Sequence, residues 1–157
     1  MSDTTSFKEL RQLLTKQLSV QEEIYHVAKM VQDTALEKDV TGLSVSVQQQ
    51  NGLIHASDEL ERRRKVCVEK IKGIPPREYS LRAVAAVAPP EEARKILSLR
   101  KKLKDAVQKN RSISTENSRI IEANLGAIQK DVEMIAGLSE SDSGYTQRRK
   151  KISARRI

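Results

Sequence analysis

Large aromatic side chains are nearly absent: the 157 residues include no Trp, one Phe and three Tyr. A compact globule of this length normally fills its interior with more of them. A bundle of helices needs fewer, because its core is a seam of Leu, Ile, Val and Ala. The shortage therefore favours helices over a sheet-built core. A single cysteine, Cys67, excludes an internal disulfide and any zinc site made of several thiolates. Standing at helical spacing with Leu60 and Val68, it reads as a buried structural thiol. No apolar run reaches the ~18 residues of a membrane span. The start, Met1-Ser2-Asp3-Thr4-Thr5-Ser6-Phe7, lacks the basic-then-apolar order of a signal peptide, so a cytoplasmic protein without membrane insertion is expected.

Catalytic signatures are missing as well. No Walker loop, GxGxxG, HExxH, CxxC or GxSxG pattern occurs. Acidic residues stand three and four positions from basic ones, as Glu91 and Glu92 do from Lys95. Such pairs decorate solvated helix faces and are worth roughly 0.2–0.5 kcal/mol each. A turn near residue 40 would bring His26 opposite His55, but both lie off their apolar stripes and no carboxylate is positioned beside them. The expectation is therefore no enzyme, no metal and no cofactor.

What the chain does contain is helical periodicity. Phe7, Leu10, Leu14, Ile24, Ala28, Val31 and Ala35 follow a three–four rhythm over about residues 5–37, with Gln17 and Gln21 filling slots in the same stripe. Thr4, Thr5 or Ser6 could cap this helix, with Glu9 at capping-box distance from Ser6. Asp39 is a natural N-cap for a second helix over about 40–72. Leu43 to Val47 alternates like a strand, yet no partner strand is in evidence and a lone strand cannot satisfy its backbone, so helix is expected there too. Leu53, Ile54, Leu60, Val68 and Ile71 line the inner face of this helix, and Glu61 to Lys65 read as solvated. Gly73-Ile74-Pro75-Pro76 ends it, Ser80 caps a short helix over 81–88, and Pro89-Pro90 with Glu91-Glu92 opens a third long helix.

That third helix is the most strongly patterned stretch. From Pro90 to Leu138 it would be ~73 Å long, against ~50 Å for each of the first two. Ile96, Leu99, Leu103, Ala106, Ile113 and Ile120 form a heptad seam whose intervening slots carry Asn110, Asn117 and Asn124, seven residues apart. Such asparagines either sit at the bundle edge or fix its register. Side by side with two shorter helices, the C-terminal third of the long one has no intramolecular partner. Yet that end carries Ile120, Ile121, Leu125, Ile128, Val132, Met134 and Ile135, each worth ~1.5–3 kcal/mol when buried. The short helix, a second copy of the chain or another polypeptide must cover it. Gly126 permits a kink.

The fold expected is all-α: an elongated antiparallel helical bundle or coiled coil of three long helices plus one short helix. It comprises a single helical bundle domain over 1–138, followed by a flexible linker and basic tail over 139–157. The tail accounts for the charge. Of the net +8, the last fourteen residues (Arg148, Arg149, Lys150, Lys151, Arg155 and Arg156 among them) supply +6 without an acid, leaving the body close to balanced. With Tyr145 as the single aromatic beside these cations, no platform for stacking successive bases is present, and specific nucleic-acid recognition is not expected.

The layout resembles the FlgN family of flagellar export chaperones. The residues that carry the likeness are the two antiparallel helices with Leu60-Glu61-Arg62-Arg63-Arg64 in the second, the proline-broken segment, and Leu99-Arg100-Lys101-Lys102-Leu103. The Asn-punctuated Ile-rich repeats and Gly144-Tyr145-Thr146 before the basic tail complete it. The resemblance implies a chaperone that binds the C-terminal segments of hook-associated (hook–filament junction) proteins, prevents their premature assembly and delivers them to the flagellar type III export apparatus. It places client binding in the C-terminal part, on Ile120, Ile121, Asn124, Leu125, Ile128, Val132 and Ile135. It links Tyr145 to docking on the export gate. The Val/Ser-rich start of the second helix and the long basic tail depart from the family pattern. A self-associating coiled-coil scaffold, a homo-oligomer using the same stripe, is the main alternative, and a tail-driven binder of nucleic acid or membrane surface is the weaker one.

Overall fold

The computed structural model describes residues 3–124 and 126. The fold is an all-α helical bundle of three long helices and one short one: α1 (Asp3–Leu36), α2 (Val40–Glu69), α3 (Leu81–Val87) and α4 (Pro90–Ala123). Helix α1 begins at Asp3, ahead of the Thr4–Ser6 caps anticipated, and Ser6 is buried within its first turns.

Local chemistry explains each boundary. At the end of α1 the Asp39 amide donates to the Thr34 carbonyl at 2.9 Å and the Lys38 amide to that of Ala35 at 3.2 Å. Lys38 adopts the left-handed φ of 57° that this helix stop requires. The next residue starts α2, with the Asp39 carboxylate accepting from the Gly42 amide at 3.0 Å. The strand-like Val40–Val47 stretch is helical because Leu43 and Val47 are both needed on the inner face, where they are 2% and 4% exposed. Glycine at 73 has φ +89°, and an added Cβ would stand 3.3 Å from Val87 Cγ1, so a side chain is unwelcome there on two counts. Ser80 caps α3 as anticipated, accepting from the Ala83 amide at 3.2 Å. Val84 is the residue of α3 that is fully buried, whereas Val87 is 39% exposed.

The chain divides into two compact units that share the long helices: unit 1 is Met1–Glu22 with Ala56–Ala106, and unit 2 is Glu23–His55 with Val107–Ile157. In unit 1, α1 and α2 run antiparallel. Gln17 donates to Glu61 at 2.8 Å and Gln21 to Ser57 at 3.3 Å. This register is three residues away from the one that would set His26 against His55, because the chain reverses at Lys38-Asp39 rather than beyond residue 40. Phe7, Leu10, Leu14, Val68, Val84 and Ile96 form the middle of the unit 1 core. Arg11 clamps the start of α4 with a bidentate pair to Glu92 at 2.7 and 3.2 Å.

The Glu61–Lys65 stretch corrects the expectation of a solvated face. Arg64 is 9% exposed, and its Nε and Nη2 donate to the Glu61 oxygens at 2.8 and 2.6 Å. Its Nη1 donates to the Tyr79 carbonyl. Burial alone would raise the Glu61 carboxyl. The Arg64 hydrogen bonds and charge, the Gln17 amide and the Lys65 charge outweigh it and hold the group below its ordinary 4.5. Cys67 is buried as anticipated, its thiol donating to the Ser6 carbonyl at 3.4 Å. Burial, helped by the Glu9 charge and opposed by Lys70, pushes this thiol up to about 11.

Unit 2 has its own core of Val31, Ala35, Leu43, Val47 and Ile121, with Val40 and Ile120 packed against it. Here α4 runs in the same direction as α1: Lys109 stands over the Tyr25 ring at 4.0 Å and Asn117 donates to the Ala28 carbonyl at 2.9 Å.

Two outcomes check this arrangement. A carboxyl held low in the fold adds stability that is present above its unfolded value and lost as pH falls through its folded value. Urea titrations from about pH 5 down to about pH 3 should therefore show a shallower loss of stability in Glu61→Gln than in the unchanged protein. Alkylation of Cys67 near neutral pH should be negligible in the native chain and rapid in denaturant, because thiolate and access are both withheld.

Candidate functional site

Helix α4 is the element to which the expected site residues belong. Its described length is 34 residues, the same as α1 and about 51 Å at 1.5 Å per residue. The excess length inferred from the sequence therefore falls after Asn124, outside the described residues. Three of the seven expected client-contact residues lie within the described part. Ile121 is 4% exposed and belongs to the unit 2 core. Ile120 is partly buried against the same cluster. Asn124 is half-buried and turns back on its own helix, its side-chain amide donating to the Ile120 carbonyl at 2.9 Å. Leu125, Ile128, Val132, Ile135 and Tyr145 lie outside the described residues.

The structure thus brings Ile120 and Ile121 together on the inner face of unit 2, with Asn124 closing the last turn. Ile121 is held by Val31, Ala35, Leu43 and Val47, all short aliphatics from α1 and α2. It roots the C-terminal segment in the bundle. A polypeptide could contact it only by displacing this packing.

The three asparagines do not share one environment. Asn117 is 5% exposed, inside the seam, and its Oδ1 is buried without a hydrogen-bond partner. Asn110 and Asn124 are half-buried. An edge position is therefore ruled out for Asn117, and its burial matches a register-setting role. A buried acceptor left without a donor costs about 1–3 kcal/mol, which a seam tolerates where it selects one alignment over others.

Two features escaped the sequence reading. One is Arg64, whose signal was present: Leu60, Arg64, Cys67 and Ile71 keep the three–four rhythm, which puts the arginine in the stripe itself. The other is the distribution of charge. The unit 1 stretches 1–22 and 56–106 contain seventeen Lys and Arg against eleven Asp and Glu, a net +6. The described unit 2 stretches 23–55 and 107–124 carry five against six, a net −1. A body close to neutral in total thus conceals one strongly basic unit.

Among the described residues no cluster of three His, Cys, Asp or Glu side chains is placed to hold a metal ion, and no helix is long and apolar enough to cross a membrane. His26 and His55 are both exposed.

Comparison with known families matches the chain to the family described as FlgN protein, whose sequence model aligns with residues 1–151. No curated protein and no solved structure matches the chain significantly.

Replacing Asn117 by Leu removes the unsatisfied acceptor and fills the seam. It should raise the free energy of unfolding by about 1–2 kcal/mol in urea titrations. A loss of stability instead would show that the carboxamide is worth more to the seam than its missing partner costs.

Proposed function

The chain belongs to the FlgN family of flagellar export chaperones, and from that premise we propose that it captures the C-terminal segments of hook-associated junction proteins and delivers them to the type III export apparatus. The capture surface is the segment that starts at Ile120 and Ile121 and continues through Asn124, Leu125, Ile128, Val132 and Ile135. The observation that carries this reading is the packing of Ile121. It is the last fully buried position described on α4, and the apolar repeat continues in the sequence beyond it. Ile121 is the anchor within the unit 2 core.

A client helix laid on Leu125, Ile128, Val132 and Ile135 would bury four aliphatic side chains, each worth ~1.5–3 kcal/mol. Sequestering the client's own apolar C-terminal face in the same act keeps it from premature assembly. Tyr145, twenty residues past the start of that stretch, serves as the docking element for the export gate. The protein acts in the cytoplasm as one helical domain over 1–138 with a linker and tail over 139–157.

The test is calorimetry with a junction-protein C-terminal fragment. Ile128→Asp and Val132→Asp should each weaken capture by roughly tenfold to a hundredfold while leaving the thermal midpoint unchanged. Ile121→Asp should lower the midpoint itself, because it places a carboxylate in the unit 2 core. Undiminished capture by both Ile128→Asp and Val132→Asp would refute the assignment. Tyr145→Ala should retain the client and lose export.

A further inference from the structure

Half of the net charge of unit 1 falls on one helix, and there it is contiguous. Between Arg94 and Ala106, α4 carries Arg94, Lys95, Arg100, Lys101, Lys102 and Lys104 against a single acid, Asp105. Arg94 is neutralised by Glu91 at 2.6 Å. Lys95, Arg100, Lys101, Lys102 and Lys104 have no ion-pair partner among the described residues, and all but the half-buried Arg100 are exposed. Elsewhere in unit 1 Arg11 meets Glu92, Arg62 and Arg63 meet Glu59, Arg64 meets Glu61 and Lys70 meets Glu9, while the remaining cations are dispersed over α1, α2, the loop and α3 rather than gathered in a row.

The row has an orientation. Ile96 and Leu103 are the buried positions of this stretch, 0% and 4% exposed. On a helix of 3.6 residues per turn, Arg94, Leu97, Lys101 and Lys104 follow one another at three- and four-residue steps on the side away from them. Lys95 and Lys102, seven apart, flank that line. Leu97 stands 42% exposed in the middle of the cations. Like charges at such spacings repel one another and destabilise an isolated helix, so an unmatched row of this kind is a standing cost that an anionic partner relieves.

The geometry points to a peripheral docking face for an anionic lipid surface, made by the outer side of α4 in unit 1. Three observations select lipid over other anions. Four of the five unmatched cations are lysines, compact point charges suited to a diffuse field rather than to bidentate recognition of a carboxylate. No aromatic side chain lies between residues 80 and 144, so the stacking platform that single-stranded nucleic acid uses is missing from α4. Leu97 supplies an apolar contact among the lysines, as amphipathic faces at the headgroup boundary do. The cations lie in unit 1, whereas Ile120 and Ile121 belong to unit 2, so the lipid face and the proposed capture segment use different residues of α4. The basic tail adds six further cations to the same attraction.

Cosedimentation of the full chain with vesicles of phosphatidylcholine containing phosphatidylglycerol, compared with phosphatidylcholine alone, tests this. The chain should partition onto the anionic vesicles only, and less so as salt rises. A chain ending at residue 146 should retain partitioning carried by α4. Lys101→Gln, Lys102→Gln and Lys104→Gln introduced together should then reduce its partition coefficient by roughly a hundredfold, each lysine near an anionic surface contributing about fivefold. Asp105→Asn should tighten it. All four residues are exposed, and unchanged circular dichroism confirms that the fold is kept. Failure of the truncated chain to bind anionic vesicles, or equal binding with and without the three lysines, overturns the proposal. Tighter lysine-dependent binding to poly-uridylate or poly-glutamate than to vesicles also overturns it and reassigns the face.

Discussion

The most constrained group in the structure is the Arg64 guanidinium. An arginine cannot shed its proton, so when buried it must find an anion and fill its remaining donors. Glu61 supplies the anion one helical turn away, and the Tyr79 carbonyl accepts from Nη1. Gln17 then completes Glu61 from α1. Four parts of unit 1 are tied by this one charge: α1, α2, the proline-bearing loop after α2, and through Tyr79 the approach to the Ser80 cap of α3. Removing one partner of such a pair typically costs about 3–5 kcal/mol because the other charge is left stranded. Within that loop Ile71 is buried in the unit 1 core and Ile74 and Tyr79 pack against it, so the ion pair and these apolar contacts hold the loop together.

Around that tie the core is assembled from modest pieces. Leu, Ile, Val and Ala fill both units, and the one Phe lies in unit 1. A seam of such side chains can slide by a turn with little loss, since its knobs resemble one another. The buried polar groups remove that freedom. Gln17 can reach Glu61 in one alignment of α1 on α2, and Asn117 can reach the Ala28 carbonyl in one alignment of α4 on α1. Both leave an acceptor oxygen without a partner, so the structure gives up stability at two points to hold register.

Much of this could be read from the residues. Helix periodicity located all four helices, Asp39 and Ser80 announced their caps, and the paired prolines marked both sides of α3. Gln17 and Gln21 were visible in the stripe. What was harder to read depended on contacts across helices. Arg64 looked like one of a run of solvated cations, because charge type masked the seam spacing that it keeps. The register was missed by three residues because a Schellman stop with lysine in the left-handed position turns more tightly than a cap-to-cap estimate allows. For the site, the sequence led to α4 and its C-terminal repeat, but it did not reveal that Ile121 is committed to the unit 2 core, since a core position and a client contact share the same apolar spacing. Summed charge likewise hid the row on α4, since the acids of the 23–55 and 125–143 stretches offset most of it in any total.

The scarcity of aromatics also makes the protein optically simple. With no Trp, its near-ultraviolet signal comes mainly from three tyrosines. Tyr25 belongs to unit 2, beside the Lys109 ammonium and edge-on to His26; Tyr79 belongs to unit 1, with Lys65 over its ring at 5.6 Å. Tyr145 lies at the proposed docking element. Each functional part of the chain thus carries its own chromophore. Single Tyr→Phe replacements isolate them, so the loosening of one unit, the integrity of the other and the engagement of the tail can be followed separately in one cuvette without an added label.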